Sequence, residues 1–184
     1  KCGHPGGSLD IAEVLSYLYF VEMHIDPQNP KAPDRDRLVL SKGHAAPGLY
    51  AALAERGYFP VEDLKTLRKI GSYLQGHPNM NYVPGVDMST GSLGQGISAA
   101  CGMALGAKLK QQNVNVYAIV GDGEVEEGEC WEAFMFAAHY GLANLCVFLD
   151  RNHLQIDGTT ETVMNSAPLE EKLKAFNFNV VTIN

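Results

Sequence analysis

The stretch from Val116 to Gly158 constrains the fold most. An apolar run, Val116-Tyr117-Ala118-Ile119-Val120, breaks at Gly121-Asp122-Gly123, and an acidic, helix-compatible segment follows. A second apolar run, Leu145 to Leu149, breaks at Asp150-Arg151-Asn152. Each run has strand length and β-branched or aromatic content, and a helix-length segment separates them, which is the spacing of a parallel βαβ unit. Both breaks then fall at the carboxyl ends of neighbouring strands, where open α/β sheets bind ligands. The expected fold is α/β, a central parallel sheet with helices on both faces.

Asp122 and Asn152, 30 positions apart, then face one another across the strand ends, each offering a hard oxygen. Mg²⁺ or Ca²⁺ takes carboxylate, amide and backbone oxygens and leaves other positions to phosphate. The flanking glycines let backbone N–H groups approach an anion, and the acidic helix that follows lends its N-terminus. The implied ligand is a metal-bound diphosphate. By itself Gly-Asp-Gly is the mark of a hairpin turn and Asn152 a loop residue. The second strand with its Asn at βαβ distance, followed by Ile156-Asp157-Gly158, favours the diphosphate.

With 184 residues, 46% of them hydrophobic, the chain can bury a full core, most simply as a single domain, residues 1–184. A net charge of −7 without long acidic blocks argues against nucleic acid and anionic membrane as partners. It is compatible with an anionic cofactor whose charge a metal and backbone donors neutralise. Cys2, Cys101, Cys130 and Cys146 form no CxxC pair, and three lie in apolar surroundings, which reads as buried, reduced thiols of a cytoplasmic protein. No apolar run reaches membrane-span length and no signal peptide precedes the first motif. The opening Lys1-Cys2-Gly3-His4 is abrupt, and the chain is expected to be truncated at both ends.

Along the chain, Ser8 is a candidate N-cap for a core helix over residues 8–23, with Ile11, Val14, Leu15, Leu18 and Val21 at helical spacing. A strand is expected over Arg37 to Leu40, broken at Ser41-Lys42-Gly43-His44, and helices over residues 47–55 and 61–70. Residues 76–91 read as loop. A long helix follows to about Lys110, with Gly96, Ala99, Ala100, Gly102, Ala104 and Gly106 permitting close packing. Leu169 to Ala175 reads as helix and residues 178–183 as a strand.

Three of the six histidines, His4, His44 and His77, follow a glycine in a loop. Singly, each is as readily a satisfied turn residue as a functional group. Glu124, Glu126, Glu127, Glu129 and Glu132 read by default as a solvated helix start favoured by the macrodipole. His139 and His153 read as ordinary surface or loop residues.

The Asp122/Asn152 combination resembles the thiamine diphosphate motif, and GDGEVEEGECWEA and DRNHLQIDG are similar to transketolases in particular. The likeness runs over nearly the whole chain. It implies a cofactor, thiamine diphosphate with Mg²⁺ (or Ca²⁺), and metal ligation by Asp122, Asn152 and the Leu154 carbonyl. Gly123 would give an N–H to the diphosphate and Ile156 would pack at the thiazolium side. GHPGG, SKGHAA and GHPN resemble the family segments whose histidines line the cofactor channel, so His44 would lie near the diphosphate, with His4 and His77 towards substrate hydroxyls. STGSLGQG is similar to the loop over the cofactor, placing Gly91, Leu93 and Gly94 at its pyrimidine end. Glu127 and Glu132 match glutamates at the contact between two cofactor sites, where they can couple protons.

The resemblance also implies what is missing. In transketolases the glutamate that activates the aminopyrimidine, and the residues gripping the sugar phosphate, sit on a second domain that no part of this sequence matches. The expected function is the cofactor-binding half of a transketolase, inactive without a C-terminal subunit or domain. Paired with it, the half would move a two-carbon ketol unit between sugar phosphates, in pentose phosphate metabolism. A homodimer contact is expected through the small-residue helix and the acidic segment. A deoxyxylulose-phosphate synthase, a ketoacid dehydrogenase component and a non-catalytic module of the same fold stay open as alternatives.

Overall fold

The structure is a computed structural model that describes residues 3–183. Its centre is three parallel strands in the order β1 (Arg37–Leu40), β2 (Val116–Gly121), β3 (Leu145–Asp150). Arg37 pairs with Val116, and Val116 with Leu145, so the strands start level and finish at one edge. β2 is central, and all six of its residues are buried, which explains why it reads as a continuous apolar run rather than an alternating one.

Side chains alternate across the sheet. Leu38, Leu40, Tyr117 and Ile119 face a core built with α2 (Ala12–Tyr17) and α3 (Ala46–Arg56) through Leu15, Leu49 and Leu53. Val39, Val116, Ala118 and Val120 face a second core built with α4 (Gln95–Leu109) and α5 (Gly128–His139) through Ile97, Ala100, Phe134 and Ala137. Helices therefore cover both faces, as expected. Asp87, buried, holds the start of β1 by pairing with the Arg35 guanidinium and accepting the Leu38 N–H at 2.9 Å. Among the described residues no helix is long and apolar enough to cross a membrane.

Several local expectations are corrected. The helix over residues 8–23 is instead α1 (Pro5–Leu9), then α2, then a widened π turn, Leu18–Glu22. Pro5, with φ preset and no N–H to satisfy, starts α1. Ser8 lies inside it, its hydroxyl donating to the carbonyls of His4 and Ala45 rather than capping. The helix over residues 61–70 shrinks to a 3₁₀ segment, Val61–Thr66. Arg68 turns to φ +60° there and gives its N–H to the Leu74 carbonyl at 2.8 Å, a tertiary bond incompatible with continued helix.

Residues 178–183 form no strand, because a strand needs a hydrogen-bonded neighbour and none among the described residues pairs with this segment. Aromatic packing anchors its start, with Phe178 edge-on to Phe134 at 5.6 Å, after α6 (Thr160–Val163) and α7 (Leu169–Ala175). Cys101 and Cys130 are buried free thiols as expected. Cys146, on β3, is instead exposed, and Cys2 lies outside the described residues.

Candidate functional site

Parallel strands of equal reach bring two loops to one place. Gly121 pairs with Asp150 at the ends of β2 and β3, and the next N–H, of Asp122, donates to the Asp150 carbonyl at 2.9 Å. Asp122 is only 2% exposed. Its carboxylate accepts the Gly123 N–H at 2.9 Å and the His153 N–H at 2.7 Å, so one side chain pins both loops. Burial pushes its pKa above the usual carboxylate value, against the pull of those two donors. It takes part in none of the ion pairs formed among the described residues.

Asn152 stands opposite. Its carboxamide oxygen accepts the Leu154 N–H at 3.0 Å, and its nitrogen donates to Asp10 at 3.1 Å and Asp150 at 3.2 Å. Beyond it a short hairpin that the sequence did not lead us to expect, β4 (Leu154–Gln155) with β5 (Gly158–Thr159), folds over the β2 loop. A Cβ on Gly123 would come within 3.0 Å of the Gln155 Cγ and 3.7 Å of the Leu154 carbonyl oxygen, so the glycine is what lets the loops close together. Ile156, at the hairpin tip, is 92% exposed.

The donor set fits a divalent ion. No three His, Cys, Asp or Glu side chains gather among the described residues. The loops offer instead one buried carboxylate, one carboxamide and one peptide carbonyl. All are hard oxygens with a lone pair to spare beyond the bonds given, suited to Mg²⁺ or Ca²⁺ with positions left for phosphate. Burial raises the Asp122 pKa, and a divalent cation beside it would favour its ionised form.

Two buried charges beneath the loops were invisible in the sequence. Lys42, 1% exposed, donates to the Asp150 carboxylate at 2.6 Å and to the Gly7 carbonyl at 3.1 Å. The only hint was a lysine directly after a buried strand and before a Gly-His pair. Glu124, 2% exposed, corrects its reading as solvated helix start. One of its carboxylate oxygens accepts the Ser41 hydroxyl at 2.5 Å and the Gly94 N–H at 2.9 Å, and the other accepts the Gly121 N–H at 3.1 Å. It thereby ties together the loops after β1, before α4 and after β2. Burial raises its pKa while those three donors lower it.

The glycine-rich loop before α4 lies close against β1. Gly91 and Gly94 adopt φ +144° and +86°, and a Cβ on Gly43 would stand 2.7 Å from the Gly91 nitrogen. Leu93 is half-buried between them. The His4 and His44 rings meet edge-on at 5.1 Å. His77 lies over Gly91, where a Cβ would be 2.8 Å from its Cγ. His44 is held neutral, its pKa lowered to about 4 by burial first and then by the charges of His4, Lys42 and His77. All three Gly-His segments thus share one electrostatic neighbourhood.

Glu127 is exposed beside Gly94, its Cβ 3.2 Å from where a Cβ would be on that glycine, and Glu132 is exposed on α5. His139 is exposed. His153 pairs with Glu161 at 3.0 Å and, unforeseen, gives Asp122 its backbone N–H.

A model of the family described as transketolase, thiamine diphosphate binding domain, matches residues 1–184. The chain is 54% identical to the 6-deoxy-6-sulfo-D-fructose transketolase subunit of Clostridium sp. (strain MSTE9), over 99% of this chain and 66% of that one. It is 44% identical to an apulose-4-phosphate transketolase subunit of Phocaeicola vulgatus, over 100% of this chain and 65% of that one. Among solved structures, transketolase from Campylobacter jejuni superposes with a TM-score of 0.92 at 36% identity, over 99% of this chain and 30% of that one. Transketolase from Leishmania mexicana does so with 0.92 at 36% identity, over 98% and 28%. The chain therefore spans about two thirds of these two bacterial relatives and under a third of the solved transketolases.

Proposed function

This chain belongs to the transketolase thiamine diphosphate-binding domain family, and from that premise we propose that it is the cofactor-binding part of a transketolase, completed by a C-terminal subunit or domain. The observation that carries the reading is the pair of opposed loops, Asp122-Gly123 against Asn152-Leu154, brought together at the ends of β2 and β3. Asp122, Asn152 and the Leu154 carbonyl are the ligands proposed for Mg²⁺ or Ca²⁺, and Gly123 the backbone donor to diphosphate. When bound, thiamine diphosphate supplies the carbon nucleophile for moving a two-carbon ketol unit from a ketose phosphate to an aldose phosphate.

The chain's own groups orient the cofactor and handle protons. His44, neutral at physiological pH because of its lowered pKa, can donate a hydrogen bond from one ring nitrogen and accept one at the other beside the diphosphate, with His4 and His77 nearer the sugar hydroxyls. Gly91, Leu93 and Gly94 form the wall proposed for the pyrimidine end. Ile156, exposed in this chain, is proposed to pack on the thiazolium side.

Glu127 and Glu132, also exposed, are assigned to a contact with a second copy, along with the outward Gly102 and Gly106 of α4, which have open space beside them. A cytoplasmic homodimer working in pentose phosphate metabolism is the setting proposed. The names of the two bacterial relatives extend the substrate range to a sulfonated ketose and to apulose 4-phosphate.

The test is calorimetric titration of thiamine diphosphate with Mg²⁺ into this chain assembled with its C-terminal half, beside an Asp122→Ala variant. The expected result is binding and ketol transfer by the assembly, with both lost in the variant. Unchanged binding by Asp122→Ala, or transfer by this chain alone, would overturn the reading.

A further inference from the structure

Lys42 and Asp150 have no part in the ligand set just proposed, yet they form a buried ion pair at its base, with Lys42 1% exposed. We propose that the Lys42–Asp150 pair is a positioning device that fixes which face of the Asn152 carboxamide points at the metal; this rests on the metal reading above.

The argument is one of donors and acceptors. A carboxamide can sit either way round, with oxygen and nitrogen exchanged, at little intrinsic cost. In this site the nitrogen faces two carboxylates, Asp150 at 3.2 Å and Asp10 at 3.1 Å, while the oxygen faces the Leu154 N–H at 3.0 Å. Ionised carboxylates only accept and a peptide N–H only donates. A flipped Asn152 would set oxygen against oxygen twice and nitrogen against N–H once, so the oxygen is committed to the Leu154 side.

Asp150 can impose this only if its carboxylate is held in place. Lys42 holds it, since its ammonium binds the same carboxylate oxygen that receives the Asn152 nitrogen, at 2.6 Å. The lysine is itself fixed by the Gly7 carbonyl at 3.1 Å. The first Gly-His segment is thus linked through Lys42 and Asp150 to a metal ligand on the far loop. A buried ammonium without an acceptor is costly, so the pair holds its place before any ion arrives.

The experiment measures Mn²⁺ affinity by electron paramagnetic resonance on the assembled protein with thiamine diphosphate present, alongside thermal midpoint. The proteins are wild type, Lys42→Met, Asp150→Ala, Asn152→Ala and the double variant Lys42→Met/Asn152→Ala. Lys42→Met and Asp150→Ala are expected to weaken Mn²⁺ binding about 10–100-fold, the range typical of groups that orient metal ligands. Because Lys42 acts through Asn152, the double variant is expected to bind no more weakly than Asn152→Ala alone.

Affinity unchanged in the folded single variants, or losses that multiply in the double variant, would overturn the inference and leave the metal reading standing. Failure of the wild type to bind Mn²⁺ would overturn both. If Lys42→Met does not fold, Asp150→Ala, which removes the acceptor that Lys42 holds, decides.

Discussion

Replacing Glu124 by glutamine removes one carboxylate oxygen from a buried junction without changing its shape. The oxygen with two donors, the Ser41 hydroxyl and the Gly94 N–H, is expected to remain an oxygen, because turning it to an amide would strand both. The new NH₂ then meets the Gly121 N–H, which now lies 3.1 Å from a carboxylate oxygen, donor against donor. A buried donor left unmet costs roughly 1–3 kcal/mol, and the two remaining bonds each lose about 1 kcal/mol as their acceptor becomes neutral. Release from burying a charge, the cause of the raised pKa at this residue, offsets part of that.

The net expectation is about 2–4 kcal/mol out of a total stability of roughly 5–15 kcal/mol, or a fall in Tm of about 5–15 °C for a chain of this size. Thermal unfolding followed by far-ultraviolet circular dichroism measures it. Ser41→Ala combined with Glu124→Gln should cost less than the sum of the two, since they share a bond. A Glu124→Gln protein melting within about 2 °C of wild type would refute the reasoning, because a solvated Glu124 would behave in that way.

Three other outcomes are expected. Gly43→Ala puts a Cβ 2.7 Å from the Gly91 nitrogen, against backbone that cannot swing aside. It should destabilise by about 1–3 kcal/mol and weaken thiamine diphosphate binding by shifting the Gly91 loop, measured by urea unfolding and calorimetry. Gly96→Ala, with a Cβ 2.6 Å from the Ser41 Cα, should lower stability comparably, again measured by urea unfolding. Finally, His44 has a folded pKa of about 4 against 6.5 when unfolded, so between those values the unfolded chain binds more protons. Its contribution is fully present above pH 6.5 and is lost as pH falls through about 4, so His44→Asn should flatten the urea midpoint across that window.

What the amino-acid sequence determined by itself is what local periodicity and chain direction determine. Two apolar runs separated by helix length pair as parallel neighbours, so the βαβ unit and the meeting of Asp122 with Asn152 at one sheet edge were legible before any coordinates. The same held for α3, α4 and α7, whose patterns agree with their surroundings. Residues 61–70 and 178–183 show where such reasoning stops. Their local patterns suit helix and strand, but Arg68 bonds a distant carbonyl and the last segment pairs with no strand among the described residues.

Tertiary structure alone decided the state of the charged residues. Glu124 and the exposed Glu127 are alike in sequence context, and nothing local separates a carboxylate bonded to Ser41 and Gly94 from a solvated one. Those donors come from segments 83 and 30 positions away. Lys42 is buried for the same reason, since its counterion Asp150 lies 108 positions on. Burying a charge is tolerated only where the fold delivers its partners, and which partners arrive is a property of the assembled loops, not of the residues on either side.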